Sequence, residues 1–576
     1  MGGGMDMQQD MMGWHNSMAP FQVHSMETMG LNNGMGQSDF PLDPAFYQEP
    51  MAFEPFEPMS ATTMHTMDMK IPQPQEQHRG SMDFNPSPHS LSMQLPSNLN
   101  LPVDSTSGEP SLDQQPSSNA TIVGLSGESD PYLLSRYRFN QYNEANLEKV
   151  RMRKMNDGPA TNNDIPAFFT IQHNALASKA QPSEKPEVQD QYRQELEEIV
   201  NDEVGKRLIR LFFKYVQPYF PVLNREGGNY LRDDQGARDP STIATCVLAA
   251  IYGHALPFCA WDERLCVDVY TPPSPEALFR IAWFSAQSMC HTPNLAVVQT
   301  LLLMVQRRPT NKHVSDTPFK GIMWTNAVSI AQSLGLNRDP SDWPLPVWEI
   351  RQRRRLAWAT FVQDKWLALN AGRSSHIQAD DWDVAPLTED DFAELDRHPF
   401  GFDSPASMGC QHFIKLCELS VIVDDILRSM FSIRATKALQ GDLNATLETA
   451  KPLRIRLAEW HQSLPEGLLP QPSSSSPENG RRKSSPHELD GNGSLHLAYI
   501  TAKIELFRAM LRPQITDPDD PAVTALRSGA IGVGREVFDF LEALNARELE
   551  AFWASCKSFP PSSKKPRCFF VSLEIH

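Results

Sequence analysis

Between about Trp348 and Ala371 the chain sets a basic run, Arg351-Gln352-Arg353-Arg354-Arg355, inside a stretch that is otherwise apolar at helical spacing. Ile350, Leu356, Trp358, Phe361, Val362, Trp366 and Leu369 supply the apolar surface. Such a helix belongs largely inside a protein, whereas a guanidinium group needs water or a partner. Two readings are open, and spacing alone favours the first. The run is a solvated face, or it holds structural cations paired with Asp364 or with the acidic run Asp380, Asp381 and Asp383. Arginines flanked by tryptophans on a core-facing helix require such a partner, which favours the second. Just upstream, Met323, Ala327, Ile330, Ala331 and Leu334 form one apolar helical face; Gly335 offers its stop and Pro340 closes the exit.

Helical periodicity continues on both sides of this stretch. From near Gln191, Leu196, Ile199, Val204, Leu208, Leu211 and Phe212 trace helices, which Pro218 and Pro221 end. Residues 243–255 are apolar all round and should be central. Further helices are expected at 275–289, 294–305, 410–430, 443–464, 495–511 and 522–553. Strand-like alternation is scarce. The expected fold is therefore all-α, a multi-helix domain at 191–555, with a disordered Ser/Pro/Asn-rich loop at 470–492 that includes Arg481-Arg482-Lys483.

Residues 1–130 read as a disordered tail with no apolar period, and no Lys or Arg occurs before Lys70. Within it, Phe46, Tyr47, Phe53 and Phe56 alternate with acidic residues between Asp39 and Met59. Carboxylates keep such aromatics hydrated and available to a partner groove, the composition of an activation region; an inert low-complexity tail is the plainer alternative. Residues 131–190 read as a linker and docking segment. Its mixed basic and aromatic pieces, Pro131–Phe139 and Val150–Met155, hold too few cations to carry nucleic-acid affinity alone. A short buried strand or a turn is expected at 165–171. Residues 556–576 contain Pro560-Pro561 and no period, and are expected to be non-native to the fold, as a retained intron or frameshift would make them.

Composition narrows the function. A net charge of −18 argues against a large basic nucleic-acid surface over the whole chain. The eight cysteines form no CxxC pair, and the first is Cys246, so neither a disulfide framework nor a zinc site is indicated. This usage suits a reducing compartment, cytosol or nucleus. No signal peptide or membrane span is read, and Met-Gly-Gly-Gly lacks the later Ser or Thr of a myristoylation site. No nucleophile elbow, P-loop or HExxH motif occurs, and Gly532-Val533-Gly534 lacks the third glycine of a dinucleotide loop. His254 with Cys259 and Cys266, Cys290 with His291, and His412 between Cys410 and Cys417 read as core residues of apolar helices. The expectation is no enzyme, no catalytic residue, no metal and no cofactor.

Several pieces occur together in an order and spacing that is specific. They are Ala327 to Asp339 (AVSIAQSLGLNRD), Arg353 to Trp358 (RRRLAW), Asp364, Gly372-Arg373-Ser374 followed by Ile377, and Asp381 to Pro386 (DWDVAP). Together they resemble the regulatory middle homology region of fungal-specific transcription factors, the family that usually carries a Zn2Cys6 binuclear cluster. The resemblance covers about residues 200–555. Ala357 departs from it where a larger residue is common, and Ser374 where Pro is. It implies a nuclear regulator of RNA polymerase II target genes, with Arg353, Arg354, Arg355, Asp364, Arg373, Asp381 and Asp383 as structural or regulatory residues. Implied partners are transcriptional coactivators, a DNA-binding partner or promoter DNA, a small-molecule inducer and a second copy; a membrane is not among them. The family's zinc cluster cannot be carried onto any residue here, which leaves a gene model missing a first exon or a coregulator acting on a partner. A different class, an α-helical small-molecule-sensing or enzymatic domain, is the alternative.

Overall fold

The computed structural model describes residues 110–553, apart from 116, 128, 148–149, 157, 159–164, 178, 180–186, 225–242, 269–271, 308–316, 394–405, 470–488 and 514–519. All of them belong to one compact unit, Leu101–His576. Phe46, Tyr47, Phe53 and Phe56, most of the loop expected at 470–492, and residues 556–576 lie outside the described residues.

The unit opens with an antiparallel sheet. Its strands are β1 (Ser118–Ile122), β2 (Glu144–Leu147), β3 (Val150–Lys154) and β4 (Phe168–His173), in the order β1-β4-β3-β2. Ala120 pairs with Ile171, and Met152 with Thr170. Period-two alternation splits the side chains between two covered faces. Phe169, Ile171 and Ala120 pack with Leu112, Trp343 and Leu345. Phe168 and Met152 pack with Leu134 on the other side. The sheet corrects the expectation of a tail up to residue 130 and a linker over 131–190, in which only β4 coincides with the short strand or turn expected at 165–171. The strands run only four to six residues. In β3 the alternation is hidden by Arg153, which is buried because it bonds Glu144 across the hairpin at 2.9 Å.

The long helices of the described chain follow: α1 (Glu187–Ile199), α2 (Asp202–Tyr215), α3 (Thr245–Ala255), α4 (Pro275–Ser288), α5 (Leu295–Val305), α6 (Thr317–Ser333), α7 (Val347–Ala371), α8 (Ala406–Ile426), α9 (Leu443–Gln462), α10 (Gly493–Met510) and α11 (Pro521–Ala543). Helix starts follow local chemistry. Asn201, Ser274, Asn294 and Asp442 each accept a backbone N–H of the first turn, and Pro275 and Pro521 sit where a missing N–H costs nothing. Neighbours in sequence are neighbours in space, from α5 on α6, through α6 on α7 and α7 on α8, to α10 on α11.

Helix α7 is the axis of this array. Every residue from Gln352 to Ala368 is buried, whatever its polarity. It ends at Gly372, whose φ of 62° is the left-handed conformation that favours glycine. Gly335 plays a second part at the end of α6. Its φ is 69°, and a Cβ there would lie 2.8 Å from Ile122 and 3.0 Å from Phe169. The sheet therefore abuts the turn between α6 and α7, next to the arginine run.

Candidate functional site: the buried arginine helix

Three consecutive arginines are buried on α7, so the solvated-face reading does not describe them. Arg353 Nε donates to Glu349 Oε1 at 2.9 Å, and its Nη1 to the Leu334 carbonyl at 2.9 Å. Its guanidinium stands over the Phe169 ring, 5.7 Å from the centroid. Arg354 Nε donates to Asp391 Oδ1 at 2.8 Å, while its Nη1 donates to Asp339 Oδ2 at 2.6 Å and to Ser341 Oγ at 3.2 Å. Its Nη2 reaches the Pro386 carbonyl at 2.8 Å. Arg355 donates to the backbone carbonyls of Asp391 and Leu223 and faces the Phe392 ring.

Neither Asp364 nor the acidic run pairs with these arginines, contrary to the sequence expectation. Asp364 lies nine to eleven residues beyond them, about 14–16 Å along the helix at 1.5 Å per residue, which is out of reach. Its carboxylate serves a second cluster. There Asp364 Oδ1 accepts from Trp324 Nε1 at 3.0 Å and from the His376 N–H at 2.9 Å, and Oδ2 from the Ile377 N–H at 3.1 Å. Lys365 lies beside it, fully buried, and bridges to Asp424 Oδ1 at 2.9 Å and to Ser375 Oγ at 2.7 Å. Asp383 takes Arg338 Nε at 3.0 Å and the Asp339 N–H at 2.7 Å, so it braces the residue that holds Arg354. Asp381 is exposed, and its backbone carbonyl accepts from Asn337 Nδ2 at 3.0 Å. Arg373 is exposed; its N–H closes α7 onto the Ala368 carbonyl at 3.0 Å.

The electrostatics follow from the partners. Burial works to lower the Arg354 pKa, but Asp391 and Asp339 outweigh it and hold the group above its ordinary value. Burial likewise works to raise Asp339, and the bonds from Ser341 and the Ala385 N–H, with the Arg354 charge, hold it below the usual carboxylate range. Asp113 differs. It accepts the Leu295 N–H at the start of α5 at 2.9 Å, while the adjacent Leu112 N–H donates to Glu349 Oε2 at 3.1 Å. Burial first, then the Glu349 charge, push Asp113 up to about 6. The segment leading into the sheet is thus stitched to both α5 and the arginine helix.

Glu349, Asp339, Asp391, Lys365, Asp424 and Asp113 were missed as site residues. Glu349 was legible as the residue one helical turn before Arg353. The others carry no local signal, because long-range packing brings them in. Among the described residues no group of three or more His, Cys, Asp or Glu could hold a metal ion. Burial pushes the thiols of Cys246 and Cys259 up to about 11, which leaves them protonated near neutrality and poor nucleophiles or ligands. His254 Nε2 is satisfied by the Leu303 carbonyl at 2.8 Å and His412 by Ser494 Oγ at 3.1 Å, both inside the core. A cleft of about 370 Å³ opens between α9, α10 and α11, lined by Arg454, Tyr499, Lys503, Phe507 and Glu536 among others. Lys503 and Glu536 pair across it. No helix among the described residues is long and apolar enough to cross a membrane.

The arrangement defines a helical scaffold domain built round a buried cationic helix whose arginines hold carboxylates and loop carbonyls. The family model described as fungal specific transcription factor domain matches residues 209–462, from within α2 to the end of α9. Helix α7 lies near the middle of the matched residues. The chain is 26% identical over 390 residues to the transcriptional activator protein DAL81 of Saccharomyces cerevisiae, covering 62% of this chain and 38% of that one. It is 25% identical over 260 residues to cutinase transcription factor 1 alpha of Fusarium vanettenii, 45% of this chain and 27% of the relative. It is also 25% identical over 356 residues to the acetamidase regulatory protein of Aspergillus oryzae, 61% of this chain and 40% of the relative. The matched part thus spans two fifths or less of each of these relatives. No solved structure matches the chain significantly.

Proposed function

We propose that the chain is a nuclear transcription regulator that controls RNA polymerase II target genes without catalysis. The observation that carries the reading is the match of residues 209–462 to the model described as fungal specific transcription factor domain. The names of the relatives, an activator, a transcription factor and a regulatory protein, support it. In this reading α7 is the regulatory axis. Arg353, Arg354 and Arg355 anchor the returning loops, Asp364 holds the loop after Arg373, and Asp383 braces Asp339; Asp381 lies on the same loop. DNA contact comes through a partner or through a zinc cluster outside the residues given, and the chain itself holds no cofactor. Phe46, Tyr47, Phe53 and Phe56 recruit coactivators.

The test is a reporter assay with the whole chain fused to an unrelated DNA-binding domain. Activation is expected, with its loss when those four aromatics are replaced by Ala. Silence from the fusion, together with an unchanged transcriptome when the gene is deleted, would refute the reading. A second reading, control by a small-molecule inducer, is favoured by the cleft among α9, α10 and α11. An amphipathic anion that raises the melting temperature of the chain but not of a Lys503→Glu variant would support it.

A further inference from the structure

Among the described residues, large exposed apolar side chains fall singly over most of the helical array, as on any protein. One segment departs from this. Tyr132, Leu133, Tyr137 and Tyr142 are 44%, 53%, 60% and 65% exposed within a stretch of the chain short enough to form one face. Clustered exposed aromatics mark interaction surfaces. The stretch is held in shape from beneath. Asp130 caps the turn Pro131–Leu134 by accepting the Tyr132 N–H at 2.7 Å. Leu134 is buried, and the Phe139 ring packs on Phe168 of β4 at 5.5 Å. Asn140 Oδ1 accepts the N–H groups of Tyr142 and Glu144, both at 2.9 Å. The aromatics are therefore displayed by a braced platform whose own apolar residues point inward.

The face is also basic. Arg136 and Arg138 are exposed, and no side-chain hydrogen bond or ion pair engages either guanidinium among the described residues. Among the described residues of this stretch the carboxylates are committed elsewhere: Asp130 to its cap, Glu144 to Arg151 and Arg153. On a chain with a net charge of −18, two unpaired arginines interleaved with exposed tyrosines are a local reversal of sign. Elsewhere the described arginines of the fold are largely spent on carboxylates and carbonyls, as on α7. The complementary ligand has carboxylates for the guanidiniums and rings or aliphatic groups for the tyrosines. Nucleic acid suits the face less well, because two cations neutralise too few phosphates to hold against the negative field of the rest of the chain.

We propose that the face formed by Tyr132, Leu133, Arg136, Tyr137, Arg138 and Tyr142 docks an acidic, aromatic-bearing peptide of a partner protein. This goes beyond the regulatory reading, and its failure would leave that reading standing.

The test uses the full chain and a fluorescein-labelled synthetic peptide in which Asp and Glu alternate with Phe and Leu, read by anisotropy. Saturable binding is expected, weakened about tenfold or more in Arg136→Glu/Arg138→Glu and in Tyr137→Ala/Tyr142→Ala, and retained in Arg136→Lys/Arg138→Lys. Raising salt from about 50 to about 300 mM should weaken it several-fold, since the pairs are solvent-exposed. Hydrogen exchange on the unaltered chain should show protection on peptide addition at 132–142, a readout that does not depend on any variant folding. Absence of saturable binding, protection confined to other residues, equal binding of a Lys/Phe peptide, or tighter binding of a duplex DNA probe through the same arginines would each overturn the proposal.

Discussion

Replacing Arg354 with Ala tests the central feature of the fold. In the native structure its guanidinium donates to Asp391, Asp339, Ser341 and the carbonyls of Ala385 and Pro386. The Ala variant leaves two carboxylates facing a void where their cation stood. Loss of one partner from a buried pair costs about 3–5 kcal/mol, because the remaining charge stays desolvated. A unit of roughly four hundred residues has an unfolding entropy near 0.8 kcal/mol per degree, so the melting temperature should fall by about 4–6 °C. Arg351 belongs to the same run but is only partly buried, and its removal should cost less than about 1 kcal/mol. Arg354→Lys should recover only part of the loss, since an ammonium cannot reproduce the fork that spans Asp391 and Asp339. Circular-dichroism melts of the four proteins, with a double-mutant cycle against Asp391→Ala, give the comparison. Arg354→Ala melting within about 1 °C of the unaltered chain, or no further from it than Arg351→Ala, would refute the reasoning.

Three further outcomes are expected. Asp113 is raised to about 6 in the folded chain, so its contribution is fully present below its unfolded value and is lost as pH rises through about 6. The unaltered chain should therefore gain close to 1 kcal/mol between about pH 7.5 and 5.5 that Asp113→Asn does not gain, and denaturant titrations at the two pH values measure the difference. Lys365→Met should destabilise by about 3–5 kcal/mol by stranding Asp364 and Asp424, and Lys365→Met/Asp424→Leu should recover part of it; equal stability of single and double variants would count against a coupled pair. Elemental analysis of the purified chain should find no stoichiometric zinc, and two zinc ions per chain would contradict the expectation, from cysteine spacing, of no thiolate cluster.

Helix α7 was legible from sequence nearly to the residue, about Trp348–Ala371 against Val347–Ala371. So was the stop at Gly335, whose left-handed φ is what a glycine after an apolar helical face signals. Helical spacing is a local property, since residues three and four apart share a face whatever lies opposite, and a single chain displays it. That at least one of Arg353, Arg354 and Arg355 is a structural cation followed from the tryptophan and leucine neighbours, but spacing alone equally described a solvated face, and the burial of all three came from packing. The identity of their partners was not legible. Asp339 and Asp391 reach Arg354 only because the turn after α6 and the loop after α7 fold back over the same helix. Asp364, the acid nearest in sequence, is carried out of range by the rise of the helix and falls instead to Trp324 and to the backbone N–H groups of His376 and Ile377. Apart from β4, where a short buried strand or a turn was expected at 165–171, the sheet escaped for a related reason. Its strands are short, Arg153 interrupts their alternation, and Leu112 gives no periodic sign that it will anchor beneath Trp343. Local spacing alone determined which segments are helices and which faces are apolar; tertiary packing decided which carboxylate meets which cation, because that depends on which distant loop crosses overhead.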